Sequence, residues 1–315
     1  MIKTGKIQVA MRSGSIGLLT ASAAFLAVLS ASAVPLNETS LAFAVPTETE
    51  PVLDGRLDED VWRKAVVFSR FVEYYKPHPK PSPLKSEMRI LYTDRALWIG
   101  LVHFEPHPEK LKVVGTTRDS VDWTEDMDEI YVDPSGDAIG FTKFAVNSAG
   151  VTADMRRVDG SVVLKEWNGT AWRAKTSVGA DRWTVEACIP YVDLPKPPEP
   201  GGAPWRLCVT RYQWTSGGFV GSESSPKGAY NNTAGFGYLA FLRPDEKPSA
   251  ELVARTLSGR LAPPWSLWYD GQVLIDTGNG VVAKTEEQCR EEERRETERM
   301  NEIKRRLAAE FGGEE

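Results

Sequence analysis

Histidine and cysteine are scarce in this chain, with 3 of each among 315 residues. So few cysteines exclude a disulfide scaffold, although Cys188 and Cys208 lie in separate strand-like segments and would pair if those segments were neighbours. No Cys-His or His-His spacing is typical of a transition-metal site. The histidines all precede Pro108, which leaves few axial ligands for a haem-binding electron-transfer domain. Ser-His-Asp and Cys-His hydrolase patterns are also missing.

Long apolar segments are equally rare, and the one present lies near the N-terminus. Residues 16–29 follow Lys3, Lys6 and Arg12 and precede the small residues 31–33, which together indicate a secretory signal peptide over residues 1–33. A second cleavage position follows Ala44, and an uncleaved anchor is the alternative. We therefore expect export to the periplasm or beyond, with no membrane span after cleavage. A net charge of -6 argues against a nucleic-acid partner.

Helical periodicity is almost absent between residues 46 and 245, whereas short alternating segments recur at regular intervals. About ten such segments separated by turn residues predict an all-β fold, an antiparallel β-sandwich of the jelly-roll-like kind. Trp62 belongs to a short helix capped by Asp58, and we expect it to anchor the core. The predicted strands cover residues 68–75, 85–92, 96–104, 140–147, 151–156, 171–178, 182–189, 205–214 and 236–242, in addition to one within 121–134.

The C-terminal part differs in character from the body. Residues 250–257 fit a short helix, and residues 267–282 a hairpin within an extension spanning 246–283. Residues 284–315 form a highly charged segment, predicted to be a helix over 285–311 with Glu–Arg pairs at i, i+4 spacing. Its apolar stripe is short: Met300, Ile303, Leu307 and Phe311. This helix is either solvated and attached by one end or a contact for a protein partner.

Residues 121–134, VDWTEDMDEIYVDP, carry the most informative pattern. In a strand, Ile130 and Val132 point to one face, while Glu129, Tyr131 and Asp133 point to the other. Aromatic rings that stack on sugars and carboxylates that accept hydroxyl hydrogen bonds are the combination by which sugars are bound. The alternative is an ordinary edge strand beside an acidic loop.

Acidic residues crowd the start of this segment. Calcium takes six to eight oxygen ligands and would gather several carboxylates into one site. The candidates are Asp119, Asp122, Asp126 and Asp128, with Glu125 among them in sequence. The spacing is not that of an EF-hand loop, so a solvated acidic loop is the alternative. No cofactor is required, and a structural calcium ion is the candidate metal.

The segments LDGRLDEDVW, LYTDRALWIGL, WTEDMDEIYVDP, FAVNSAG, RWTVEACIP, WRLCVTRYQW and FGYLAF occur in this order between residues 52 and 242. Their wording and order resemble carbohydrate-binding module family 9 and the wider group of family 9-like domains. This resemblance implies a non-catalytic β-sandwich that binds sugars, often attached to secreted glycoside hydrolases. Better-studied members hold a terminal sugar between two aromatic rings and have structural calcium nearby.

The resemblance also implies particular sugar-binding residues. Trp123 matches one stacking aromatic, Glu129 matches the carboxylate that accepts sugar hydroxyls, and Tyr230 stands where the second aromatic is expected. Arg211 is typical of the wider family 9-like group and is a fourth candidate. Two positions depart from the pattern. Ala145 replaces an arginine that helps to bind sugar, and an asparagine near the second aromatic is replaced around Lys227.

We therefore expect non-catalytic binding of a mono- or oligosaccharide by an exported module that serves glycan capture or breakdown through partners. One alternative is a structural or protein-interaction domain on the same fold without a sugar site. The other alternative is a weakly active glycoside hydrolase accessory. Glycoside hydrolysis needs two carboxylates about 5 to 10 Å apart, and Glu129, Asp126 and Glu186 are the candidates.

Overall fold

The computed structural model describes residues 37–76, 80–227 and 232–311. The predicted signal peptide and Tyr230 lie outside the described residues. The strands are β1 (Asn37–Thr39), β2 (Leu41–Pro46), β3 (Val67–Phe68), β4 (Val72–Glu73), β5 (Ser86–Tyr92), β6 (Ala96–Phe104), β7 (Met127–Asp133), β8 (Phe141–Asn147), β9 (Thr152–Val158), β10 (Val162–Leu164), β11 (Arg173–Val178), β12 (Arg182–Pro190), β13 (Trp205–Gln213), β14 (Val220–Glu223), β15 (Gly237–Phe241), β16 (Trp265–Tyr269), β17 (Gln272–Asp276) and β18 (Val281–Thr285). The helices are α1 (Asp60–Arg63), α2 (Ala250–Leu257) and α3 (Glu286–Phe311).

One curled sheet of 14 strands forms the body of the described chain. Its main order is β10-β9-β8-β7-β13-β15-β2-β5-β6-β12-β11. Outside this order, β14 pairs with β13 and β4, and β3 pairs with β5. The two halves of the sheet face each other, because a single apolar core joins Ile90, Ile99 and Val185 of one half to Ile130 and Val209 of the other. The expected all-β sandwich is confirmed.

Strand β2 makes the sheet locally parallel. It pairs in parallel with both β15 and β5, and its Ala44 is fully buried. The sandwich therefore begins before the predicted boundary at residue 46. Cleavage after Ala44 would remove most of a strand from the interior of the sheet, whereas cleavage after Ala33 would leave it whole.

Strand β7 lies in the interior of the sheet, between β8 and β13. As the alternation predicts, Ile130 and Val132 enter the main core, while Tyr131 packs on the opposite side against Phe141 and Phe236. The expectation of an open face is wrong, since all seven residues of β7 are buried. Both flanks of the strand are paired, so it is not an edge strand either.

Helix α1 covers part of the outer face of the other half of the sheet. Trp62 is buried there. Gly100 leaves space for Trp62 and Leu57, since a Cβ at residue 100 would lie 3.1 Å from the Trp62 ring and 2.1 Å from the Leu57 side chain. The indole of Trp62 donates to Glu186, which also accepts the backbone N–H groups of Asp54 and Gly55. Burial raises the pKa of Glu186 to about 7, and the three N–H groups partly oppose that shift.

The C-terminal extension packs against the sandwich through a second apolar cluster. Strand β1 pairs in parallel with β16, and β16, β17 and β18 form an antiparallel meander, so the predicted hairpin is present with a third strand. Ser249 caps the N-terminus of helix α2, and its side chain accepts the N–H of Leu252. Its Leu252 and Leu257 pack with Phe43 and Trp265. Helix α3 follows β18 directly, close to its predicted range.

Cys188 and Cys208 are both free. They lie on β12 and β13, which are separated in the sheet order by four strands, so the disulfide left open by the sequence does not form. Burial raises the pKa of both thiols, which keeps them protonated and unreactive at neutral pH. In the described ranges, no helix is both long and apolar enough to cross a bilayer.

Candidate functional site

Five aromatic side chains form a continuous cluster at one end of the sandwich: Tyr74, Tyr75, Trp123, Trp214 and Phe219. We call this cluster the aromatic surface. Ring centroids of Trp123 lie 6.0 Å from Trp214 and 6.4 Å from Phe219, and Phe219 lies 5.8 Å from Tyr74. Trp123 is 56% exposed, Tyr75 65% and Phe219 38%. Large rings this open to solvent in one contiguous patch are typical of a binding surface.

Strand pairing brings these rings together from distant parts of the sequence. Trp214 follows β13 directly, Phe219 precedes β14, and Tyr74 follows β4. The pairing of β13 with β14 and of β14 with β4 places these strand ends side by side. Trp123 enters from the loop before β7, where its carbonyl oxygen accepts a 3.0 Å hydrogen bond from the indole of Trp214. The Lys112 ammonium lies 4.6 Å from the Trp214 ring centroid.

Buried carboxylates fix the loop that carries Trp123. Glu125 accepts the N–H groups of Val114, Gly115 and Asp122 and the side-chain amide of Asn147, at 2.8 to 3.1 Å. Asp126 accepts the N–H groups of Lys112 at 2.7 Å and Trp214 at 2.9 Å. Both carboxylates are fully buried. They therefore stabilise the backbone on both sides of Trp123, and the ring stands on a fixed loop.

The four predicted calcium ligands are not gathered into one site. Asp126 is bonded to backbone N–H groups, and Asp122 accepts the N–H of Thr124. Asp128 faces the interior and contacts His103, while Asp119 lies near Arg118 at the surface. Among the described residues, no three His, Cys, Asp or Glu side chains form a group suited to a metal ion. The calcium site stays a prediction that this geometry does not support.

Glu129 lies beneath the aromatic surface and is only 5% exposed. It accepts hydrogen bonds from the hydroxyls of Tyr131 and Tyr212 and forms a 2.7 Å ion pair with Lys143. Tyr212 in turn lies 3.0 Å from the hydroxyl of Tyr74. Burial and the nearby carboxylate raise the pKa of Tyr212, so its hydroxyl stays protonated. A chain of hydrogen bonds through Tyr212 and Tyr74 therefore joins Glu129 to the aromatic surface. Because its oxygens already contact two tyrosines and a lysine, Glu129 has little capacity left to accept a sugar hydroxyl.

Ala145 and Lys227 are the two positions at which the sequence departs from the family pattern. Ala145 lies directly opposite Glu129 on the neighbouring strand β8, and its methyl group packs with Met127 and Tyr212. Lys227 is exposed and borders the segment that contains Tyr230. No arginine therefore reaches over Glu129 from position 145, and the second predicted stacking ring is not among the described residues.

Arg211, which the sequence predicts as a sugar-binding residue, does not lie at the aromatic surface. Its side chain is 0% exposed and donates to the carbonyl oxygens of Lys85 and Phe104, the hydroxyl of Ser86 and the carboxylate of Glu105, at 3.1 to 3.3 Å. Successive strand residues alternate faces. Arg211 therefore points into the sandwich while Tyr212 points toward Glu129.

A buried Ser-His-Asp arrangement, which the sequence spacing does not reveal, lies beside Arg211. The Ser86 hydroxyl is 3.0 Å from His103 Nδ1, and His103 Nε2 is 2.9 Å from Asp128. All three side chains are buried, so a substrate cannot reach the hydroxyl. The hydroxyl also accepts a hydrogen bond from Arg211. The arrangement forms part of the interior polar network, and it does not constitute a hydrolase site.

The carboxylates considered for glycoside hydrolysis are also engaged elsewhere. Glu129 contacts tyrosines and a lysine, Asp126 contacts backbone N–H groups, and Glu186 lies against Trp62 on β12. No two of them share a hydrogen-bond partner. These three carboxylates therefore do not form the open pair facing a common cleft that the hydrolytic reaction requires.

Comparison with known proteins shows the fold. No protein-family model matches the chain, and no curated protein matches it by sequence. Two similar solved structures are of a family 9 carbohydrate-binding module from Caldicellulosiruptor kristjanssonii, in complex with cellotriose and with glucose. They are 19% and 17% identical, cover 66% and 68% of this chain and 98% and 100% of theirs, and give TM-scores of 0.47.

A third similar structure is a protein from Bacteroides uniformis for which carbohydrate binding is itself a proposal. It is 15% identical, covers 65% of this chain and 99% of its own, and gives a TM-score of 0.52. At these identities the likeness is one of fold. The sandwich formed by strands β2 to β15 thus has the architecture that the family 9-like sequence segments predict.

Proposed function

We propose that this protein binds carbohydrate without catalysis, through the aromatic surface around Trp123. The observation that carries the proposal is the exposed Trp123 ring, held on a rigid loop within a contiguous patch of five aromatic side chains. A sugar ring presents apolar C–H faces that stack on such rings. The family 9 modules with a similar fold, whose structures are in complex with cellotriose and glucose, support the same function.

The polar groups around the rings suit a modest affinity. An aromatic contact is worth about 1 kcal/mol beyond its burial, so one or two stacked sugars give only a modest gain in affinity. The exposed Lys112 ammonium lies over the Trp214 ring, and the exposed Asp122, one of whose oxygens accepts the Thr124 N–H, precedes Trp123. Together they provide one donor and one acceptor beside Trp123.

Glu129 takes an indirect part in this proposal. Its hydrogen bond to Tyr212, which contacts Tyr74, fixes two rings at the base of the aromatic surface. We therefore assign it a positioning role beneath the rings in place of direct sugar contact. Arg211 has no part in binding, because it is enclosed in the sandwich.

Export and participation in glycan breakdown complete the proposal. The N-terminal basic and apolar segments indicate a signal peptide, and a sugar module outside the cytoplasm would meet glycans there. The carboxylates described above are engaged in structural contacts. Any role in carbohydrate catabolism would therefore depend on a partner enzyme, with this protein holding the glycan.

A protein-interaction domain on the same fold is the second candidate. Two observations favour it: Ala145 removes the arginine that the family pattern has beside the carboxylate, and Glu129 is already saturated by protein donors. In that case the aromatic surface would contact a protein partner. The two candidates differ in whether any free sugar binds.

Calorimetric titration of the processed protein with a panel of mono- and oligosaccharides, with calcium or with a chelator, tests the proposal. We expect saturable heat that Trp123→Ala abolishes and Trp123→Phe partly retains. Trp268→Ala, which removes an indole from the C-terminal sheet, is the site control and should leave binding intact. Absence of binding to every sugar by a folded protein would contradict the proposal and favour the interaction domain.

A further inference from the structure

The rings of the aromatic surface follow the order of the strands that carry them. At this end of the sandwich the strands pair in the order β7-β13-β14-β4. Trp123 precedes β7, Trp214 follows β13, Phe219 precedes β14, and Tyr75 comes shortly after β4. Each ring is therefore supplied by the next strand of the sheet, and together the rings form a row that crosses the strand ends.

Strand spacing sets the length of this row. Met127 of β7 is paired with Tyr212 of β13, and Tyr212 is paired with Gly221 of β14. The carbonyl oxygen of Gly221 accepts the N–H of Tyr74 at 3.0 Å, which continues the same line to the residues after β4. Neighbouring strands lie about 4.8 Å apart, so the distance from β7 to β4 is about 14 Å. Since a pyranose is comparable in size to one aromatic ring, the row is longer than a single sugar.

Tyr75 is held in a fixed position at the far end of the row. Its backbone φ of 53° lies in the left-handed region, which is unfavourable for a bulky side chain and persists only where surrounding contacts impose it. One such contact is Glu223, a fully buried carboxylate that accepts the N–H of Tyr75 at 2.9 Å. Gly221 allows the preceding residue to approach, because a Cβ at residue 221 would lie 2.7 Å from the Tyr74 side chain.

The strained backbone presents the Tyr75 ring to solvent. The ring is 65% exposed, and its centroid lies 6.0 Å from that of Tyr74. Backbone strain of this kind is concentrated at sites that bind ligands. Tyr75 therefore has the two properties of a stacking ring, an open face and a fixed position, at the opposite end of the row from Trp123.

We propose that the aromatic surface binds an oligosaccharide chain, with different sugar units stacked on Trp123 and on Tyr75. This inference rests on the carbohydrate function proposed above and names the class of ligand. The chain crosses the ends of the four strands and passes Phe219 between the two outer rings. A monosaccharide occupies the Trp123 end, where the indole offers the larger ring. Tyr75 then determines the length of chain that binds best.

Titration calorimetry of the processed full chain tests the proposal with glucose, xylose and mannose and with their β-linked oligomers from disaccharide to hexasaccharide. We expect the affinity to increase with chain length and to become constant once the chain reaches Tyr75. Tyr75→Ala should lower the affinity for the longer oligomers about tenfold, because one aromatic contact is lost, and should leave the monosaccharide affinity unchanged. Tyr75→Phe keeps the ring and should retain most of the affinity. Indole N–H shifts in NMR spectra measure monosaccharide binding that is too weak for calorimetry.

Two further variants separate the roles of the rings. Trp123→Ala should weaken the binding of sugars of every length, whereas Trp268→Ala, outside the aromatic surface, should weaken none. Circular dichroism checks that each variant is folded. An equal loss of monosaccharide and oligosaccharide affinity in Tyr75→Ala would show that both rings enclose one sugar and would overturn the proposal, as would unchanged affinity for every oligomer. A wild-type protein that binds no sugar would instead contradict the carbohydrate function itself, and this inference with it.

Discussion

The indole N–H of Trp214 donates a 3.0 Å hydrogen bond to the backbone carbonyl oxygen of Trp123. This bond joins the end of β13 to the loop before β7 and sets the angle of 44° between the two indole rings. The same loop is held by Glu125 and Asp126, so the exposed ring is attached to the sandwich at several points. A fixed ring loses little conformational entropy when a sugar stacks on it.

The Trp214–Trp123 bond can be removed without removing the aromatic ring. Trp214→Phe keeps a ring beside Phe219 but cannot donate to the Trp123 carbonyl oxygen. We expect sugar affinity to fall about three- to tenfold, since a neutral hydrogen bond is worth about 1 kcal/mol. Calorimetry measures this change. Unaltered affinity would show that the bond does not orient Trp123.

Glu129→Gln should destabilise the fold because the carboxylate is buried with Lys143 and two tyrosine hydroxyls. Removing the charge leaves the Lys143 ammonium without its partner, and we expect the free energy of unfolding to fall by about 2 kcal/mol. Urea denaturation provides the measurement. Glu87→Gln, which removes a more exposed partner of Arg89, is the control and should cost less than about 1 kcal/mol. Equal losses in the two variants would contradict the account.

Stability should decrease in mild acid because of His103. Burial lowers the pKa of His103, and this effect outweighs the opposing influence of Asp128; Arg211, Glu105 and the Trp183 ring also face it. Since the folded pKa lies below the ordinary value of about 6.5, the unfolded chain binds the proton first. The stabilisation is therefore complete above about pH 6.5 and is lost as the pH falls toward the folded pKa.

Unfolding measured between pH 5 and 8 should show a slope of up to about 1.4 kcal/mol per pH unit from this one proton. His103→Gln should flatten that slope whatever its effect on stability at pH 8. His107→Gln changes an exposed histidine and serves as the control. An unchanged slope in His103→Gln would assign the acid sensitivity to other groups.

The N-terminus of the exported protein should be Val34 or a residue close to it. Strand β2 pairs with β15 and β5, and Ala44 is fully buried between them. A chain that starts at Val45 would lack most of this strand and should unfold several degrees lower or fail to fold. Mass spectrometry of the secreted protein determines the start. A mature protein that begins at Val45 and is fully stable would contradict the placement of β2.

Strand positions and faces were largely predictable, because apolar alternation in Ser86–Tyr92, Phe141–Asn147 and Arg182–Pro190 reflects a core on one side. The prediction failed where the second face is also covered, as at Glu129. Pairing on both flanks of a strand is a property of the sheet and leaves no local pattern. The short strand Val220–Glu223 and the parallel strand Leu41–Pro46 were not predicted, because they too are defined by pairing with other strands.

The burial of Arg211 could have been predicted from the sequence. It shares its side of β13 with Leu207 and Val209, which enter the core, so the two-residue alternation places it inside. The resemblance to family 9-like domains placed it in the site instead. The aromatic surface could not be predicted in full, because its rings come from residues 74–75, 123 and 214–219. The pairing of β4 with β14, of β14 with β13 and of β13 with β7 brings those segments together.

We propose that sugar binds on Trp123 and Trp214. The most direct test follows the indole N–H signals of the 10 tryptophans in heteronuclear NMR spectra during titration with an oligosaccharide, assigned with Trp123→Phe and Trp214→Phe. We predict saturable shifts of the Trp123 and Trp214 signals, while those of the buried Trp62 and Trp183 stay in place. Shifts confined to other tryptophans, or none at saturating sugar, would contradict binding at this surface.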